Sequence, residues 1–85
     1  MNLSDIRAVL KDELARIAPD IDFEAIDPKA NLRNEADIDS MDLLNWVTAL
    51  HKRLKVDIPE ADTARLVTID GALAYLAHKL AATGT

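Results

Sequence analysis

Apolar residues recur at helical spacing in three stretches of this chain, and no segment alternates convincingly with the period of a strand. In the first stretch Ile6, Val9, Leu10, Leu14 and Ile17 form one stripe. A helix is therefore expected from about Ser4 to Ala18, stopped by Pro19. In the second, Leu43, Leu44, Val47, Leu50 and Leu54 are expected to point inward from a helix running from about Met41 to Leu54, with Met41 and Trp46 near its edges. In the third, Ile69, Ala72, Leu73, Leu76 and Leu80 share a face behind Thr68, a good N-cap. Val56-Asp57-Ile58-Pro59 is expected to be extended, because the residue before a proline avoids the helical region. A short helix from about Glu60 to Leu66 follows, too short to stand alone.

Residues 19–39 lack sustained periodicity and hold Pro28 with several Asp and Asn residues. Ile21, Phe23, Ile26 and Leu32 are nevertheless spaced through them, which predicts a connection packed across the domain. The expected fold is all-α: a four-helix bundle of three long helices and one short third helix, with a long loop between the first and second. No internal repeat, low-complexity tract or interdomain linker stands out, so residues 1–85 are expected to form a single domain.

Eighty-five residues leave no room for a second core. Three aromatics, Phe23, Trp46 and Tyr75, leave that core mostly aliphatic. A formal net charge of −5 argues against a nucleic-acid backbone as the main partner. No segment approaches the roughly 20 apolar residues of a membrane span. The start of the chain lacks a basic and then apolar leader, so a cytoplasmic protein is the default expectation. There is no cysteine to form a disulfide or a thiolate metal site. His51 and His78 lie 27 residues apart without a second ligand at suitable spacing. Asp37, Asp39 and Asp42 cluster without the spacing or glycine of a calcium loop, and no metal site is expected. Ser40 has no nucleophile elbow around it, so catalysis is not expected either.

Candidate chemistry concentrates at Asp39-Ser40-Met41, where the polar loop meets the second long helix. Asp and Ser are both preferred N-caps, and Asp39 as the cap puts Asp42 at the third helical position. A serine there also holds its hydroxyl at a helix N-terminus, where backbone N–H groups and the macrodipole favour a phosphate. Taken alone, the tripeptide fits a simple cap or a site for a phosphate-linked group.

The wider pattern resembles the acyl carrier protein family over nearly the whole chain. Asp39-Ser40-Met41-Asp42 looks like the family's Asp-Ser-Leu signature, with Met41 in the leucine position. Leu32, eight residues before the serine, sits where the family has an apolar loop anchor. Ile58-Pro59-Glu60 looks like the Ile-Pro-acidic element before the third helix, and Thr68-Ile69 with Tyr75 matches the usual opening of the last. The resemblance implies 4′-phosphopantetheine joined to Ser40 by a phosphopantetheinyl transferase, with acyl groups held as thioesters on its terminal thiol. It implies a non-catalytic monomer that serves acyl-loading and acyl-transferring enzymes in lipid or secondary-metabolite synthesis. Candidates for partner recognition are Asp39, Met41, Asp42, Asn45, Trp46, Thr48, Ile58 and Glu60; of these Trp46 is unusual on this helix and is read first as a partly buried core contributor and only second as a partner contact. Peptidyl, aryl and D-alanyl carriers remain within the class, and the alternative outside it is an unmodified helical interaction module in which Ser40 is only a cap.

Two departures from the family pattern stand out. The family commonly has a glycine two or three residues before the serine, and Ala36-Asp37-Ile38 has none. The exposed face of the second long helix is usually acidic; Asp42 keeps that character, but Asn45, His51, Lys52 and Arg53 fall where carboxylates would be usual. A specialised carrier, poorly docked by general fatty-acid synthesis enzymes, is the expectation. Small residues Ala72, Ala74, Ala77 and Ala81 in the last helix are expected to permit close helix packing.

Overall fold

The computed structural model describes residues 2–83. Its helices in chain order are α1 (Leu3–Ile17), α2 (Leu32–Glu35), α3 (Ser40–Leu54) and α4 (Ile69–Thr83). Two 3₁₀ segments, Phe23–Ala25 and Glu60–Leu66, lie between them. The described residues contain no strand, and the all-α expectation holds. Both the first 3₁₀ turn and α2 fall inside what reads from the sequence as irregular loop. The expected short third helix is the second 3₁₀ segment, Glu60–Leu66.

Each long helix starts at a side-chain cap. Asn2 accepts from the Asp5 N–H at 2.8 Å, Asp39 from the Asp42 N–H at 2.9 Å, and Thr68 Oγ1 from the Gly71 N–H at 2.9 Å. Each satisfies one of the donors that a helix start leaves without a partner. Ile6, Val9, Leu10 and Leu14 of α1 are buried, as the stripe predicts. They pack with Leu43, Val47 and Leu50 of α3 and Ile69, Ala72 and Leu76 of α4 in one aliphatic core.

The long connection closes over one side of this core. Phe23, Ile26, Leu32 and Ile38 are buried in it, and Ile21 packs against it. Backbone bonds tie the connection to the other end of the chain, with Leu32 N–H donating to Val67 O at 2.7 Å and Asp70 N–H to Pro28 O at 3.0 Å. A bidentate pair from Arg7 to Glu24, at 3.0 and 2.9 Å, fastens the first 3₁₀ turn to α1. That guanidinium holds the Glu24 carboxyl below the usual carboxylate range.

The face of α3 differs from its expected one. Trp46, expected near an edge, is fully buried, and its indole N–H donates to Leu10 O at 3.2 Å. Leu44, expected inward, is 46% exposed. The buried stripe is Leu43, Trp46, Val47 and Leu50, because the indole fills the space between α1 and α3 and finds a carbonyl there for its one donor. Lys55 ends the helix in the left-handed region at φ 57°, donating its N–H to His51 O.

Gly71, in the first turn of α4, sits against the preceding 3₁₀ segment. A Cβ there would lie 2.5 Å from Arg65 O and 2.8 Å from Thr68 Oγ1. Glycine is what lets the two segments approach so closely.

Candidate functional site at the start of α3

Ser40 is the first residue of α3 and is exposed. Its position follows from the loop before it. Ile38 is buried and anchors the chain, while Asp37 takes a left-handed conformation at φ 51°. Glycine adopts such a turn without strain, and aspartate is among the few side chains that tolerate it. Asp37 thus reaches, three residues before Ser40, a backbone shape that usually calls for glycine.

Asp39 accepts from the Asp42 N–H at 2.9 Å, and Leu43 N–H donates to Asp39 O at 3.0 Å. Among the described residues no hydrogen bond occupies the N–H of Ser40 or Met41. The hydroxyl of Ser40 therefore stands beside open donors at the positive end of a 15-residue helix. An exposed hydroxyl and free donors suit a phosphodiester that projects into solvent, and they suit it without any basic side chain. The carboxylates of Asp39 and Asp42 repel a phosphate, so neither acts as its ligand.

The other sequence-selected residues divide. Met41 is 68% exposed, and Asn45 and Thr48 are exposed on the same side of α3. Thr48 Oγ1 donates back to Leu44 O at 2.9 Å. Ile58 is half-buried and Glu60 exposed. Together with Thr48, Leu44 and His51 they line a groove of about 350 Å³ between α3 and the second 3₁₀ segment. Trp46 does not join them. Its burial removes it from any partner surface and corrects its place among the recognition residues. Leu44, absent from that set, takes the exposed apolar position instead.

The basic end of α3 also looks different in three dimensions. Arg53 donates to Glu13 Oε2 at 2.8 Å and Asp12 Oδ2 at 3.2 Å, so its charge is spent clamping α3 to α1. Glu13 is buried at 6% exposure and gains a second cation in Arg16 at 3.8 Å. His51 donates Nδ1–H to Val56 O and fixes the turn after the helix. Lys52 is the cation left on the exposed stripe, below Met41, Asn45 and Thr48.

A model of the phosphopantetheine attachment site family matches residues 4–76. The chain belongs to the acyl carrier protein family. An acyl carrier protein of Streptomyces coelicolor is 33% identical over 73 residues, 86% of this chain and 79% of the relative. That of Thermosynechococcus vestitus is 28% identical over 80 residues, covering 94% of this chain and 93% of the relative. A Campylobacter jejuni subsp. doylei acyl carrier protein is 26% identical over 72 residues, 85% of this chain and 87% of the relative. Within this family the exposed Ser40 hydroxyl is the candidate attachment point.

The second 3₁₀ segment is held by a buried tyrosine that sequence reasoning took only as a family match. Tyr75 of α4 donates its hydroxyl to Asp62. Burial pushes the phenol up to about 12, and the bond to Asp62 adds to the shift. The visible signal for this contact was the pairing of the single tyrosine with an acidic residue in the segment preceding its helix.

Proposed function

We propose that this protein carries acyl groups as thioesters on a 4′-phosphopantetheine arm joined to Ser40, and presents them to partner enzymes of lipid or secondary-metabolite synthesis. The observation that carries this reading is the exposed Ser40 hydroxyl at an N-terminus whose first two N–H groups are open. In the attachment step Ser40 Oγ forms a bond to the phosphorus of coenzyme A's phosphopantetheine half. The bond from that phosphorus to the nucleotide phosphate breaks, and the hydroxyl proton passes to a base of the transferase. The bound arm supplies the thiol. The chain supplies position, holding the arm at a fixed helix start so that each partner meets a tethered substrate at high effective concentration.

Met41 and Leu44 offer apolar contact beside the arm, and Asn45, Thr48 and Lys52 set the charge of the same stripe. With no carboxylate on that stripe, basic docking patches built for acidic carriers meet only Asp57 and Glu60 at its edge. We therefore place the chain among specialised carriers. Efficient loading and elongation by general fatty-acid synthesis enzymes would count against that placement.

The direct test is intact mass after incubation with coenzyme A and a phosphopantetheinyl transferase. A gain of one phosphopantetheine, lost in Ser40→Ala, is expected. No gain, or a gain that survives the substitution, leaves Ser40 as a helix cap in an unmodified interaction module.

A further inference from the structure

A second groove, of about 600 Å³, lies on the other flank of the α3 start, between the end of α1 and the connection that follows it. Half-buried Ile17 and Ile21 contribute to its apolar floor. Its lining reaches Asp37, Ile38 and Asp42, all within three residues of Ser40 along the chain. Carboxylates of Asp20, Asp22, Glu35, Asp37 and Asp42 surround it.

None of those five acids makes an ion pair among the described residues, whereas Asp12, Glu13 and Glu24 are all paired with cations. Unbalanced negative charge near Ser40 therefore gathers over an apolar floor on the loop side of the helix. The exposed stripe of α3 carries none, and the groove beside it is edged by two acids, Asp57 and Glu60. We propose that this groove is the docking surface for the basic face of the phosphopantetheinyl transferase that modifies Ser40, an inference that rests on the carrier reading above. An approaching cluster of Lys and Arg is steered to the carboxylates, and an apolar side chain at its centre covers Ile17 and Ile21. The transferase must close on the serine hydroxyl itself, so the flank of the helix start is the surface within its reach.

The test compares two triple variants that lose the same charge. Asp20→Asn, Glu35→Gln and Asp37→Asn neutralise the groove. The Glu35→Gln change keeps an acceptor for the Asp27 N–H, and asparagine tolerates the left-handed turn at position 37. Asp5→Asn, Asp27→Asn and Asp70→Asn neutralise exposed acids that line neither groove. Melts followed by circular dichroism check that both remain folded. With a phosphopantetheinyl transferase and coenzyme A at low ionic strength, kcat/KM for the groove variant is expected to fall at least ~10-fold, and for the control less than ~3-fold. The wild-type rate is expected to fall steeply with added salt, and the groove variant's rate much less. Equal losses in the two variants, or none in the groove variant, overturn the proposal while the wild type still gains its adduct. A wild-type chain that gains none overturns the carrier reading and this inference with it.

Discussion

Asp39 caps α3 and is a proposed contact for the transferase, and asparagine keeps the first of these roles. Its carboxylate accepts from the Asp42 N–H at 2.9 Å, the bond that starts α3. Asp39→Ala removes it at a cost of about 1 kcal/mol. An unfolding entropy of roughly 2.1 cal/mol/K per residue gives a chain this long about 0.18 kcal/mol/K, so the melting temperature is expected to fall by about 5–6 °C. Asp39→Asn retains an oxygen acceptor and loses only the charge facing the helix dipole, and its fall is expected to stay within about 3 °C. Modification of Ser40 should divide the variants differently. If the transferase reads the negative charge, both lose rate together, by about 10-fold for each ~1.4 kcal/mol of lost interaction. Thermal melts by circular dichroism and the initial rate of mass gain with coenzyme A provide the two readouts. An Asn variant that melts as low as Ala refutes the capping account. An Asn variant modified at the wild-type rate beside a slow Ala variant refutes recognition of charge, and leaves helix geometry as the whole role of Asp39.

Three further outcomes follow from the packing. Trp46→Phe loses the bond to Leu10 O and part of the core volume, and should cost about 2 kcal/mol in chemical denaturation while leaving the folded protein's modification rate within ~2-fold, whereas a partner contact would show a large rate loss. Gly71→Ala forces a Cβ against Arg65 O and the Thr68 cap, and is expected to destabilise by about 1–3 kcal/mol despite alanine's better helix propensity; a neutral or stabilised variant would refute the close approach. Tyr75 has a folded pKa raised to about 12, so its stabilising contribution is whole below about pH 10, the unfolded value, and is lost as pH rises toward 12. Tyrosinate absorbance reads this single tyrosine directly, and a midpoint near 10 in the folded protein would remove the effect.

Helix positions were legible wherever an apolar stripe and a polar cap coincided. Asn2, Asp39 and Thr68 each precede such a stripe, and the three long helices begin beside them. Rotation of a helix about its axis was less legible. Trp46 and Leu44 lie two positions apart, and both fit an apolar face drawn from periodicity alone. What decides between them is the carbonyl of Leu10, which lies 36 residues away and becomes a neighbour only after α1 and α3 pack. Arg53 posed the same difficulty. In sequence it is one of several cations completing a helix dipole, and only the bundle places Asp12 and Glu13 against it. Ser40 was legible as a candidate site because the features around it are local: the cap, the helix start and the loop anchor all lie within eight residues of it.

The two flanks of the α3 start differ in a way that suits two kinds of encounter. In the proposed function the transferase works at the serine oxygen and would make its contacts around Ser40, where the loop-side carboxylates are. Enzymes that process the acyl group work at the far end of the arm and need only enough contact to orient the helix. Met41 and Leu44 supply that contact without charge, and Asn45 and Thr48 carry no sign for a basic partner to read. Exposed charge acts mainly on association rate and on the choice of partner, while apolar contact is indifferent to salt. Separating the two on opposite flanks of the helix start would let modification be fast and steered, and delivery be selective by shape. A carrier with acids along the whole helix must use the same field for both. On the proposed reading, the acids of the loop and the carboxylate-free stripe of α3 would give each encounter its own surface.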